Sequence, residues 1–203
     1  MPDNSAPFEI IAAPFTLHVA PVGTPFPDVD AEPAVTWVKV GTSGDRNYTE
    51  DGVTVQHSRS IEKWRAVGSP GPRKAWPTEE DLIIGLTLAD LSLEQYQLAL
   101  NHQTVATVAA GVGTAGYKSL GLSRGLSLPQ RALLIRGASP YGDGFTMQYE
   151  VPVAYQSGSP EVVFRKNEPA ALALEWTALE DPDAATENER FGRILAQTAD
   201  AET

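Results

Sequence analysis

The stretch SLEQYQLALN, residues 92–101, is the one segment of the chain that reads convincingly as a helix, and it decides the fold class by standing alone. Ser92 and Gln95 fit a capping box, in which the serine hydroxyl and the glutamine side chain satisfy each other's backbone donors. Leu93, Tyr96, Ala99 and Leu100 fall at helical spacing, Glu94, Gln95 and Gln97 are expected to face outward, and Asn101 can end the helix. Downstream, strand-like runs occupy residues 104–109, 131–136, 145–155, 161–165 and 171–179, with Gly, Ser and Pro between them. Repeated strands without alternating helices argue against a parallel sheet. The expected fold is mainly β, antiparallel, with one flanking helix.

Upstream of the helix the same period holds. Residues 8–19 are rich in β-formers, and Phe15, Leu17 and Val19 alternate with Thr16 and His18. Pro14, which cannot donate to a ladder, makes this an edge strand or an arm. Residues 21–33 form a proline- and acid-rich connector. Residues 36–40 read as a strand carrying Trp37, ended by the turn Gly41-Thr42-Ser43-Gly44-Asp45. Val53, Val55 and His57 then alternate with polar residues after the turn signal Asp51-Gly52. Between Arg65 and Pro77 lie Gly68, Pro70, Gly71 and Pro72, flanked by Trp64 and Trp76. This reads as a long loop, and structureless loops of that length are usually functional, so it is a candidate intersubunit contact. The tail from Glu180 carries more acids than bases. Its weak apolar set, Phe191, Ile194 and Leu195, is expected to lie outside the sheet, flexible or ordered only on assembly.

The chain has 203 residues, 42% of them hydrophobic, enough for one ordinary domain that buries roughly 70% of its unfolded surface. Lys and Arg number 15 against 26 Asp and Glu, a formal charge of −11, which argues against a tight grip on nucleic acid. Cysteine is absent, so disulfides, thiolate nucleophiles and Cys-ligated zinc are excluded. No apolar run approaches the ~20 residues of a membrane helix. The first base is Lys39, so no basic region precedes the early apolar stretch, and neither membrane insertion nor export is expected. Asn47-Tyr48-Thr49 then reads as a polar turn rather than a glycosylation site.

Motifs with chemical meaning fail in context. Gly121-Leu122-Ser123-Arg124-Gly125 matches a nucleophile elbow. However, Gly125 and Pro129 stand where the elbow's helix belongs, and His18, His57 and His102 all precede Ser123, against the hydrolase order. Gly111-Val112-Gly113-Thr114-Ala115-Gly116 matches a dinucleotide turn. No helix periodicity follows it and no carboxylate occurs between Glu94 and Asp143, so a Gly-rich hairpin is the better reading. The histidines are scattered singly, without metal-ligand spacing. Glu79-Glu80-Asp81 reads as a solvated turn. The region from Gln95 to Gly142 holds Lys118, Arg124, Arg131 and Arg136 but no carboxylate, while the first 38 residues hold five acids and no base. That segregation would suit complementary surfaces on neighbouring copies. No catalytic residue, cofactor or metal is expected.

In the order and spacing of its pieces the chain resembles the major tail tube proteins of long-tailed bacteriophages. The resemblance spans residues 6–182. It rests on Ala20-Pro21-Val22-Gly23 with Phe26-Pro27, on Trp37-Val38-Lys39-Val40-Gly41 leading into Tyr48-Thr49-Glu50-Asp51-Gly52-Val53, and on the strand into the helix at residues 82–101. It rests also on Ser159-Pro160-Glu161-Val162-Val163-Phe164 and on residues 174–182. It implies a β-sandwich or barrel-like tube fold with no active site, whose copies close into hexameric rings and stack into a virion tail that conducts DNA. The division implied is an N-terminal arm with connector over 1–35, a tube domain over 36–182 and an acidic extension over 183–203, the last serving to decorate the exterior or regulate polymerisation. Implied partners are other copies of the chain and tail terminator, tape measure and baseplate or distal tail proteins, with DNA only in passage and no membrane. The chain would be made in the host cytoplasm. The rival reading is a β-sandwich binding module of a virion, in which Trp37, Trp64, Trp76 and Trp176 stack on sugars or a receptor; a small hydrolase using Ser123 comes third.

Overall fold

The computed structural model describes residues 9–101 and 104–201, and Phe8 and His102 lie outside them. The protein is mainly β with one α-helix. Strands β1 (Thr16–Pro21), β2 (Val38–Lys39), β3 (Tyr48–Trp64) and β4 (Lys74–Leu88) precede helix α1 (Leu93–Ala99). Strands β5 (Ala106–Val108), β6 (Tyr117–Ser119), β7 (Gln130–Ala138), β8 (Thr146–Gln156), β9 (Leu172–Ala178) and β10 (Arg193–Ala196) follow it. The main sheet runs β2-β1-β7-β8-β9-β4-β3, and β10 pairs with β8 beside this path. Every pairing is antiparallel.

The sheet curls around one core. Alternation in β1 and β7 sends Leu17, Val19, Leu133 and Ile135 inward, where they meet Ile84, Leu86 and Leu88 of β4 and Leu172, Leu174 and Trp176 of β9. The two ends of the strand order are joined through a side chain, not a ladder. The Tyr48 hydroxyl at the start of β3 accepts from Leu17 N of β1 (3.1 Å) and donates to Val40 O beyond β2 (2.8 Å). Burial pushes this phenol up to about 12. Helix α1 adds Leu98 and Ala99 to the core.

Several expectations change here. Gln95 is buried, not outward, and the capping box does not form. The Gln95 amide oxygen accepts instead from Gly41 N (2.9 Å), and the Ser92 hydroxyl is left without a partner. Tertiary demand wins, because the Gly41 N–H is itself buried and must be paired. Asp51-Gly52 is not a hairpin turn. Gly52 (φ +61°) sits in a bulge inside β3, where the register jumps between Tyr48 and Val53. Residues 161–165 contribute only the bridge Val162–Leu172. The acidic tail is not wholly outside the sheet. Arg193–Ala196 lie along β8, with Arg193 Nε donating to the buried Glu150 (2.7 Å). That approach needs glycine at 192, since a Cβ there would lie 1.9 Å from Glu150 O at φ +115°.

Candidate assembly surface

The 65–77 loop is shorter than expected and tips a long two-stranded ribbon. Strand β4 begins at Lys74, and pairing with β3 runs continuously out to Trp64–Lys74 with one bulge near Pro77. Pro77 is tolerated because β9 pairs only with Ile83–Leu88, leaving that edge of β4 free and asking for no N–H. Glu79, Glu80 and Asp81 therefore lie on a strand, opposite Ser60, Arg59 and Ser58, and not in a turn. Arg59 pairs with Glu80 at 3.3 Å, and Arg190 of the tail reaches the same carboxylate at 3.7 Å.

Burial changes abruptly along β4. From Leu82 to Leu88 alternate side chains are buried, whereas Lys74 to Asp81 are exposed without exception. Register places Trp64 opposite Lys74 and Trp76 opposite Glu62, so the two indoles share one face diagonally. They are 51% and 41% exposed, while Trp37 and Trp176 are 5% and 1% exposed. A bare two-stranded hairpin is marginal in water, and exposed ion pairs add at most about 1 kcal/mol each. The distal ribbon is therefore a surface that its own chain leaves uncovered.

The outer face of β1 and β7 is covered within the chain. Ala20, Trp37, Ala132 and Leu134 form a second cluster with Phe26, whose ring lies 5.0 Å from that of Trp37. The connector is held by its own carbonyls. Trp37 Nε1 donates to Pro25 O (3.0 Å), Gln148 Nε2 to Pro27 O (2.8 Å), Arg136 Nη2 to Val29 O (2.9 Å) and Arg136 Nη1 to Ala31 O. Three cations of the carboxylate-free region, Arg136, Arg124 and Lys118, are thus engaged within the chain. Arg124 binds Gly158 O and the Gln156 side chain, and Lys118 pairs with Glu94 at 2.5 Å. Arg136, which the charge pattern marks for a contact between copies, instead holds the chain's own connector, and Gln148 carries no sequence signal beyond being a polar residue in an apolar strand. The Lys63, Arg65, Arg73 and Lys74 cluster at the ribbon tip was readable but not singled out.

The motif residues do not converge. Ser123 lies exposed in a loop, its hydroxyl accepting from Gly125 N (3.2 Å). Gly111–Gly116 closes a β-hairpin through a Gly111–Thr114 bridge between β5 and β6. His18 is buried on the outer face, and burial together with nearby Lys39 lowers its pKa; His57 is exposed on the ribbon. Among the described residues, no three of His, Cys, Asp or Glu are grouped to hold a metal ion, and no helix is long and apolar enough to cross a membrane. A cavity of about 380 Å³ opens between β1 and α1, lined by Val19, Val38, Leu98 and Arg131 among others, and no tryptophan borders it.

No protein-family model and no curated protein sequence matches the chain. Among solved structures, it is similar to a chain of the anti-feeding prophage baseplate determined by cryo-EM with six-fold symmetry. That match has 8% identity and a TM-score of 0.49, covering 84% of this chain and 92% of that one. It is similar also to chains of an extracellular contractile injection system. One is from the sheath/tube terminator in the extended state (14% identity, TM-score 0.46, 93% and 96% covered). Another is from the sheath-tube complex in the extended state (12%, 0.42, 94% and 92%). These are remote likenesses of backbone course.

Proposed function

We propose that the chain is a structural, non-enzymatic virion protein whose copies close into six-membered rings and stack into a phage-type tail tube that conducts DNA at ejection. The observation that carries this reading is the distal ribbon, with two free edges, two bare faces and a pair of exposed indoles that its own chain leaves uncovered. The sequence resemblance supplies the ring and the tube. Tail terminator, tape measure and baseplate proteins would meet the ends of that tube. A conduit must not hold its cargo, and a chain of −11 suits a lumen in which carboxylates outnumber Lys and Arg.

Negative-stain electron microscopy of purified protein at rising concentration tests the proposal. Rings or tubes are expected; monomers at every concentration and ionic strength would overturn it, and an assembled tube with a basic channel would overturn the lumen assignment. The glycan-binding reading has less to stand on. Trp37 and Trp176 are buried, and Trp64 and Trp76 lie on an open ribbon face.

A further inference from the structure

The ribbon tip is chemically unlike the rest of the molecule. Residues 61–76 carry Lys63, Arg65, Arg73 and Lys74 against Glu62 alone, a formal +3, which leaves −14 on the remainder of a chain of −11. Ile61, Trp64, Val67 and Trp76 are all exposed there. The opposite chemistry sits on the segment leading into β10, where Glu180, Asp181, Asp183, Glu187 and Glu189 face one base, Arg190. Asp181, Asp183 and Glu189 line a cleft of about 150 Å³ beside Phe26 and Pro152, together with Arg193, whose charge is already taken up by Glu150 at 2.7 Å. Among the described residues, none of these three carboxylates has a cation within ion-pair distance.

A tip cannot fold back onto the strap of its own copy. Glu80 meets Arg190 at the ribbon root, and Lys74 lies six residues farther out, about 20 Å at ~3.3 Å per residue. We propose that the two-indole basic tip docks on the acidic strap and cleft of a second copy, its cations placed among Asp181, Asp183 and Glu189 and its indoles over Phe26 and Pro152. Tip and receptor are different surfaces, so the contact is head-to-tail, the kind that closes a ring or propagates a filament. Charge complementarity selects the partner. A nucleic acid or an anionic membrane that met the tip would also meet the −14 body. This docking rests on the self-assembly reading and adds to it a named surface and a recognition chemistry.

The chain's lack of cysteine makes the contact testable in the full protein. A Val67→Cys copy mixed with an Ala185→Cys copy under mild oxidation should give a disulfide-linked heterodimer. Adding Arg73→Glu and Lys74→Glu to the first copy should reduce its yield at least tenfold, and Asp181→Lys with Asp183→Lys on the second should restore it. Absence of the heterodimer while unmodified protein still forms rings or tubes would overturn the docking and leave the assembly reading standing. Absence of both overturns both. A heterodimer indifferent to charge reversal would overturn the recognition chemistry. Tip-dependent binding to phosphatidylserine vesicles or duplex DNA without a heterodimer would overturn the choice of a second copy as the occupant.

Discussion

The root and the tip of the β3–β4 hairpin are the same two strands, offset by one residue at the bulge near Pro77, yet they belong to different physical regimes. At the root, Leu82, Ile84, Leu86 and Leu88 point into the core, and β9 completes the ladder on the far edge. Past Leu82 the pairing continues without a core and without a third strand. Hydrogen bonding alone therefore does not distinguish a structural wall from an arm; what does is whether each face has an apolar neighbour. The root is stabilised by its own chain, whereas the tip has no such support within the chain.

The sharpest way to break this contrast is to truncate one tryptophan from each regime. Trp176→Ala should cost about 3–5 kcal/mol in denaturant unfolding, as expected for a fully buried indole. Trp76→Ala should change monomer stability by no more than about 0.5 kcal/mol. A loss of several kcal/mol at Trp76 would mean that the ribbon packs against its own body. Of intermediate size is Tyr48→Phe, which orphans the Leu17 N–H and the Val40 carbonyl at the junction of the two sheet ends. About 1–3 kcal/mol of lost stability is expected by the same measurement.

The smallest effect concerns His18. Burial, with Lys39 next in weight, lowers its pKa in the fold below the 6.5 of a free imidazole. The unfolded chain then binds the extra proton first, so stability is full above about pH 6.5 and declines as pH falls toward the lowered value. His18→Gln should flatten that part of the stability–pH profile, measured by denaturant titration. Removing the tip by deleting residues 66–72 should leave it unchanged.

Strand period was a reliable guide where one face meets the core, which is why β7, β8 and β9 are close to their expected bounds. It failed for the outer half of β4, which is exposed on both faces, has no apolar alternation and carries Pro77, so that nothing in its pattern says strand. It failed also for β10. Four residues held by Arg193 to Glu150 and by glycine at 192 are fixed by a partner strand more than forty positions away, and local pattern cannot see that distance. Gln95 went astray for the same reason, its side chain being claimed by Gly41. The candidate surface was half legible. Trp64, Trp76 and the prolines between them marked the place, while its form as a two-stranded ribbon needed the pairing with β3.

Closure of the curled sheet through one phenol has a consequence for how the body yields. Every other joint around its wall is a ladder whose bonds share any load, but between β1 and β3 the hydrogen bonding passes through the Tyr48 hydroxyl, beside the short turn at Gly44–Asn47. That makes a seam, the joint around the wall where the loss of one hydroxyl removes the hydrogen bonding that a whole ladder supplies elsewhere.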